Sequence, residues 1–156
     1  MEPDLMKTEY GFEVRTARDA LGLLSRKVYE KFGSGTLPLI ENVCYKLGRS
    51  AGERMRKELP VNDFNSVANA FAEGAKRRNN PVDVIEITNK LFHLKGYRCN
   101  LGLKGAGREL CQAMMAMDRG VFEAASGEEI DLEIIKSLAA NDDCCELVFR
   151  RRRERP

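Results

Sequence analysis

Cysteine thiols are the most distinctive reactive groups in this sequence, and most of them lie late in the chain. Four of the five cysteines follow residue 98. Thiolates are soft ligands that suit zinc, so Cys99, Cys111 and Cys145 form a candidate metal site. A harder ligand could come from Asp118 or His93. The alternative is that each thiol is a small apolar core residue, because the spacing matches no closed zinc motif and no CxxC pair occurs. The sequence identifies no other cofactor.

Histidine chemistry is limited to one residue, because His93 is the only histidine. A three-histidine metal site is therefore excluded, and a Ser-His-Asp or Cys-His mechanism would have to use His93. This residue lies between Phe92 and Leu94 in an apolar run with strand character. We predict a surface or structural role for it rather than catalysis.

The segment 102–107, GLKGAG, is rich in glycine and precedes a predicted helix. Backbone N–H groups at the start of a helix can hold an anion. The segment has neither the GxxxxGK[ST] nor the GxGxxG spacing, so we predict an ordinary loop that leads into the helix.

The helix after this loop carries adaptable apolar side chains. Met114 and Met117 are thioethers, which tolerate ligands of varied shape. Core packing is the usual role of methionine at helical spacing. The functional alternative is a lipophilic pocket between this helix and a sheet, lined by Met114, Met117, Cys111 and Phe149.

Hydrophobic periodicity predicts the eight elements that must position these residues. Three helices are expected at 16–32, 36–59 and 62–75, followed by strands at 82–88 and 91–97, a fourth helix from about 108 to 125, and strands at 131–138 and 144–150. Runs of helices followed by hairpins predict an α+β domain, with a four-stranded antiparallel sheet and helices packed on it.

The predicted inner faces follow the three- and four-residue steps of apolar side chains. On the first helix these are Ala17, Ala20, Leu21, Leu24, Val28 and Phe32, and on the second Leu39, Ile40, Val43, Cys44, Leu47, Ala51 and Met55. Gly48 and Gly52 make one side of the second helix narrow. We expect close helix packing there, and a homodimer through the first two helices.

The chain of 156 residues is long enough for one domain. We divide it into an irregular N-terminus (1–12), a ligand-binding domain (13–150) and a basic tail (151–156). The net charge of +2 gives little support to nucleic-acid binding, except through the tail. No apolar run approaches the length of a membrane span, and the N-terminus has no secretory pattern. With an odd number of cysteines, these features predict a cytoplasmic protein with reduced thiols.

The last third of the chain carries a recognisable pattern. Cys111, the run Asp118-Arg119-Gly120, an acidic strand, and the final segment Ala140–Phe149 resemble the end of the 4-vinyl reductase domain family. The same residues are similar to the L-2-amino-thiazoline-4-carboxylic acid hydrolase family. The element order from Leu39 to Phe149 resembles the fold that 4-vinyl reductase domains share with trafficking TRAPP subunits.

The first resemblance implies a small-molecule or hydrocarbon-binding domain that is often dimeric. In metal-binding members, a Glu and a Cys on the third strand complete a zinc site with cysteines at positions like Cys111 and Cys145. This sequence departs from that pattern, because its third strand offers Ile134, Ile135 and Ser137, with Glu133 nearby. The hydrolase resemblance instead implies that Cys111 and Asp118 are the catalytic positions.

Three functions follow. The leading hypothesis is a non-enzymatic domain of the 4-vinyl reductase type that binds a small lipophilic or aromatic molecule and could act as a sensor. The second is a hydrolase that uses Cys111 and Asp118. The third is a protein-interaction module, which would expose an apolar patch and enclose no cavity.

Overall fold

The computed structural model describes residues 5–152 and has the predicted α+β architecture. Five α-helices and four strands follow one another in the order α1 (Ala17–Phe32), α2 (Leu37–Glu58), α3 (Phe64–Arg77), β1 (Val82–Ile87), β2 (Leu91–Gly96), α4 (Arg108–Met114), α5 (Ala116–Ser126), β3 (Ile130–Lys136) and β4 (Cys145–Arg151). Short 3-10 turns precede α2 and β4. No helix in the described part of the chain is long and apolar enough to cross a membrane.

The four strands form one antiparallel sheet in the order β1-β2-β4-β3. β1 pairs with β2, and β3 pairs with β4, each as an antiparallel hairpin. β2 also pairs with β4, which joins the two hairpins and places Phe92 opposite Phe149. Because side chains alternate across a strand, Phe92, Leu94, Leu147 and Phe149 face the helices, and all four are buried. This face of the sheet is the floor on which the helices pack.

Two helices begin at side-chain caps that the sequence makes visible. Thr16 and Asp19 form a reciprocal capping box at the start of α1. The third helix is capped by Asp63, whose carboxylate accepts a hydrogen bond from the Ser66 N–H at 2.9 Å. The third helix, predicted to begin at residue 62, therefore begins at Phe64.

The predicted fourth helix is two helices, because the chain bends at Met115. Met115 has φ near −68° and ψ near −8°, a ψ less negative than in a regular α-helix, and α5 begins at the next residue. Cys111 and Met114 lie on α4 and Met117 on α5, and all three side chains are buried.

Glycines let α5 lie directly against α2. A β-carbon on Gly48 would collide with the Met117 carbonyl oxygen, and one on Gly52 would collide with that of Val121. From the opposite side, a β-carbon on Gly120 would lie 2.7 Å from the Tyr45 carbonyl oxygen. The narrow side of the second helix is therefore filled by the protein's own chain and is not free to form a dimer.

The predicted inner faces of the first two helices are partly wrong. Helix α1 buries Gly22, Ser25 and Arg26, whereas Leu24 and Phe32 are 62% and 66% exposed. Helix α2 buries Ile40, Cys44, Gly48 and Gly52, and its exposed apolar residues are Leu39, Val43 and Leu47. Small residues, which contribute little to a periodicity pattern, lie in the interface because the backbones approach so closely there.

Five phenylalanines form the centre of the core between α3, α5 and the sheet. The rings of Phe122 and Phe149 are stacked with centroids 4.3 Å apart, and Phe71 packs on Phe92 edge to face at 6.1 Å. Phe64 completes the cluster against Phe122. Such packing fixes the distance between helices and sheet at one end, and a cavity lies beside it.

Candidate functional site

A cavity of about 130 Å³ lies next to the phenylalanine cluster. It is partly open and is bordered by α3, α4, α5, the helix-facing side of β2 and β4, and the loop from Arg98 to Leu103. Its apolar wall is formed by Phe71, Ala75, Val82, Leu94, Leu101, Leu103, Met114, Met115, Met117 and Leu147. The arrangement suits a small apolar body surrounded on most sides by hydrocarbon and thioether groups.

The cavity brings together most of the residues that the sequence singled out. Cys99, Cys111 and Cys145 all line it, together with Met114 and Met117. Phe149 does not line the cavity, because it is fully buried in the phenylalanine cluster, where its ring packs on Phe71, which forms part of the wall. The expectation of a pocket between the fourth helix and the sheet thus corresponds to a real space.

The three thiols line one cavity but are not placed as a set of metal ligands. Among the described residues, no group of three or more His, Cys, Asp and Glu side chains is placed to hold an ion. Burial raises the pKa of Cys111 to about 11 and also raises that of Cys145, so both are neutral thiols near pH 7. A zinc site needs three or four protein ligands that converge on one point, and the thiols as placed do not provide them.

Asp118 is the one acidic side chain in the cavity wall. Burial raises its pKa from 3.8 to about 6, although the positive charges of Arg18 and Arg78 act in the opposite direction. Its carboxylate receives no hydrogen bond from any residue in the range 5–152. A half-buried carboxylate without a donor is costly for the fold, and such groups are concentrated at functional sites.

Two arginines lie beside this carboxylate at the rim of the cavity. Arg18 comes from the first turn of α1, and its Nη2 makes a weak contact of 3.5 Å to the sulfur of Met117. Arg78 directly follows α3 as its C-terminal cap residue, and its pKa is lowered, first by partial burial and then by the charge of Arg18. Both guanidinium groups line the cavity. Sequence reasoning missed them, because they are far apart in the chain and each lies in an ordinary charged stretch.

The remaining polar groups of the rim are already bonded within the protein. The Asn80 amide donates to the Asn100 side-chain oxygen at 2.7 Å, and Arg98 donates to the Asn79 carbonyl oxygen at 3.2 Å. These bonds hold the covering loop against the end of α3. Among the polar groups at the rim, Arg18, Arg78 and Asp118 are therefore the ones whose hydrogen-bonding groups remain largely unused within the described residues.

His93 lies away from the cavity, on the outer face of the sheet. Its Nε2 is 2.7 Å from a Glu146 carboxylate oxygen on the neighbouring strand. No nucleophilic hydroxyl or thiol takes part in this cross-strand pair. The geometry agrees with a structural role for His93.

The glycine-rich loop is bonded internally rather than open to an anion. The N–H groups of Gly105 and Gly107 donate to the carbonyl oxygens of Leu138 and Ala139. Arg26 donates to the carbonyl oxygens of Gly102 and Lys104 at 3.0 and 3.1 Å, which fixes the loop on α1. The loop is an ordinary connection, as predicted, and it anchors the wall of the cavity.

The basic end of the chain is less free than its composition indicates. Arg150 forms an ion pair with Glu133 at 2.5 Å, and Arg152 forms one with Asp131 at 2.7 Å. Both partners lie on β3, so these charges stabilise the last hairpin. The rest of the predicted tail, residues 153–156, and the first four residues of the predicted irregular N-terminus lie outside the described range.

Comparison with known proteins supports the fold. No family model and no curated protein sequence matches the chain. Two of the similar solved structures are 13% identical to the chain. One is trafficking protein particle complex subunit 3 from Naegleria fowleri, covalently bound to palmitic acid, with a TM-score of 0.65 over 88% of this chain and 96% of that one. The other is the phenol-responsive sensory domain of the transcription activator PoxR with phenol, with a TM-score of 0.62 over 90% and 78%.

These likenesses show that the chain has the fold of TRAPP-type trafficking subunits and of a sensory domain of a transcription activator. The element order in the sequence predicts this fold, and that prediction is confirmed. At 13% identity, the likeness identifies the fold and not the ligand.

Proposed function

We propose that this chain is a small-molecule-binding domain that takes a compact lipophilic or aromatic ligand into the cavity beneath α4 and α5. The observation that carries the proposal is the cavity itself, about 130 Å³ in volume and walled mainly by apolar side chains. Apolar cavities of about 150 Å³ are known to take up benzene. The volume therefore suits one aromatic ring or an aliphatic group of similar size.

We also propose that the domain is a sensor of the 4-vinyl reductase type. The support is the pattern from Cys111 to Phe149 and the fold that the chain shares with two domains described with a small molecule or a fatty acid bound. A cytoplasmic location belongs to the same proposal, since all five cysteines are free thiols. The interaction-module hypothesis is less well supported, because it requires a molecule without a cavity.

Methionine methyl NMR tests the binding proposal without altering the protein. Met114, Met115 and Met117 line the cavity, whereas Met55 packs against the core elsewhere. Titration of the full chain with toluene or phenol should shift the three cavity methyl signals and leave that of Met55 unchanged. Equal shifts at all methionines, or none at a large excess of either probe, would contradict the proposal.

A cavity-filling variant provides the matched control. Ala75 is buried in the wall, so Ala75→Leu would occupy the space that the ligand needs. The same substitution at Ala20, exposed on α1, should leave binding unchanged. Circular dichroism of both variants separates loss of binding from loss of folding.

The hydrolase alternative has one favourable observation and one unfavourable. A carboxylate with a pKa of about 6 in a cavity is poised to act as a general base. Cys111 is unsuited to act as a nucleophile, because burial keeps its thiol protonated at neutral pH. Hydrolysis of amino-thiazoline carboxylate that is unchanged in Cys111→Ser and Asp118→Asn would remove this alternative.

A further inference from the structure

We propose that the ligand of this cavity is a small monocarboxylic acid, whose apolar body fills the cavity and whose carboxylate binds Arg18 and Arg78 beside Asp118. The inference rests on the proposed binding function and specifies the chemistry of the ligand. It comes from the charged cluster at the rim, which neither the sequence resemblance nor the fold comparison assigns.

The cluster carries more positive charge than its surroundings neutralise. Arg18, Arg78 and Asp118 come from three different helices and interact electrostatically at one side of the cavity. Two guanidinium groups face one carboxylate, so a positive charge remains even when Asp118 is ionised. The pKa of Arg78 is lowered first by burial and then by the charge of Arg18, so the two arginines also repel each other. An anion between them would relieve this repulsion.

The unused N–H donors of the two arginines also favour an anionic ligand. Each guanidinium has five N–H donors in a planar fork that matches a carboxylate. In the described part of the chain, Arg18 donates only to a thioether, and Arg78 has no hydrogen-bond acceptor. The other arginine of the rim, Arg98, is already bonded to the backbone. A ligand carboxylate would supply the acceptors that Arg18 and Arg78 lack.

The position of the cluster determines how such a ligand would lie. Arg18, Arg78 and Asp118 line the same cavity as the apolar side chains of Leu94, Met114 and Leu147. A molecule with an apolar ring and one carboxylate would therefore place the ring against the sheet and the carboxylate at the rim. A molecule of the same shape without the charge would gain the apolar contacts only.

Asp118 makes binding of the acid depend on pH. The groups that face it are Arg18 from α1, Arg78 from the end of α3, Cys44 from α2 and Cys111 from α4. The arginines stay charged, and both thiols, with pKa values raised by burial to about 11, stay neutral below pH 8. Asp118 is the member of this group that titrates near pH 6. When it gains a proton, it stops repelling a carboxylate and can donate a hydrogen bond to it.

The test compares benzoate with toluene, which has the same ring and no charge, by calorimetry or NMR titration of the full chain. Hydrogen bonds to charged groups predict that benzoate binds at least about tenfold more tightly than toluene at pH 6. Arg18→Met and Arg78→Met should each weaken benzoate binding by about tenfold and leave toluene within about twofold. Arg54→Met, a change of the same kind on the exposed side of α2, should alter neither.

Two pH values complete the experiment. From pH 8 to pH 5.5, benzoate affinity of the wild type should rise, while Asp118→Asn should bind benzoate with an affinity that does not change.

Toluene binding reports on folding in every variant, so a misfolded protein is recognised by losing both probes. If toluene binds as tightly as benzoate in the wild type, or the arginine variants keep benzoate affinity, the acid proposal is overturned and the binding function stands. If neither probe binds the wild type, the binding function itself fails.

Discussion

Asp118 shows how a single residue can work against the fold that contains it. The side chain is half-buried, lacks a hydrogen-bond donor among the described residues, and has a pKa of about 6 against an ordinary 3.8. The ionised form is therefore less favourable in the folded chain than in the unfolded one. Proteins keep such groups where function needs them, at a cost in stability.

Asp118 should make the protein more stable in mild acid. Between pH 3.8 and about 6 the folded state binds a proton that the unfolded state has lost, so this contribution to stability is complete below pH 3.8 and disappears as the pH rises through 6. Asp118→Asn should raise the free energy of unfolding by roughly 1–3 kcal/mol at pH 8 and by almost nothing at pH 4. Urea denaturation at both pH values measures the difference.

The control for this prediction is Asp131→Asn, an exposed carboxylate that pairs with Arg152 on the surface. Removing it should not stabilise the protein at pH 8. An Asp118→Asn variant whose stability tracks the wild type at every pH would show that water, and not the surrounding helices, solvates the Asp118 carboxylate.

At the scale of elements, the close contact of α2 and α5 determines the shape of the molecule. The backbones approach because Gly48 and Gly52 on one helix meet Gly120 on the other. This contact holds Met117 and Asp118 at the cavity, since both lie in the first turn of α5. The position of the candidate site thus depends on glycines that do not line the cavity.

Gly48→Ala should destabilise the protein even though alanine is the better helix former. The added β-carbon would collide with the Met117 carbonyl oxygen, and backbone atoms on both sides limit relaxation. The gain in helix propensity is about 1 kcal/mol, whereas overpacking usually costs about 1–3 kcal/mol and sometimes more. We expect a net loss of about 2 kcal/mol in the free energy of unfolding, measured by urea denaturation.

Gly35→Ala is the comparison, because a β-carbon there meets no atom within 4 Å. It should leave stability almost unchanged. If Gly48→Ala proved equally harmless, α2 and α5 would have to be farther apart than the structure places them.

The elements also show which features the sequence can predict. Short runs rich in β-branched and apolar residues locate all four strands to within two residues. Helical periodicity fails on α1, where Arg26 is buried and Leu24 is exposed. Arg26 can be buried because its side chain bonds loop carbonyl oxygens and stacks on Tyr10 at 3.8 Å. Periodicity does not predict such long-range partners.

The candidate site is predictable only in its local part. Cys111, Met114 and Met117 share one helical run, so their common face follows from spacing. Arg18 and Arg78 join them through the arrangement of α1 and α3, and about 60 residues separate the two in sequence. No pattern within one segment could pair them with Asp118. Phe149 is expected in the pocket because alternation along β4 places it on the buried face of the sheet. Alternation does not show that this part of the face packs in the phenylalanine cluster and not at the cavity.

At the scale of the whole molecule, the exposed apolar side chains of the first two helices are unexplained by a monomer. Leu39, Val43 and Leu47 lie at four-residue steps along α2, with Leu39 70% exposed, and Leu24 and Phe32 are exposed on α1. Exposed apolar residues in a stripe are typical of interaction surfaces. The homodimer through the first two helices remains a proposal, and this stripe now supports it in place of the glycine side.

The dimer proposal predicts that charge on the stripe produces monomers. Val43 lies in the middle of the stripe and is 55% exposed, so Val43→Asp should not disturb the core. Light scattering after size-exclusion chromatography should give about twice the 17.6 kDa chain mass for the wild type and a single chain mass for the variant. Val61→Asp, another exposed valine outside the stripe, should remain dimeric.

A wild type that is monomeric at high concentration would contradict the proposal, and the stripe would then need a different partner. Because the cavity is complete within one chain, toluene binding should be equal in Val43→Asp and the wild type, which separates the oligomeric state from the binding site.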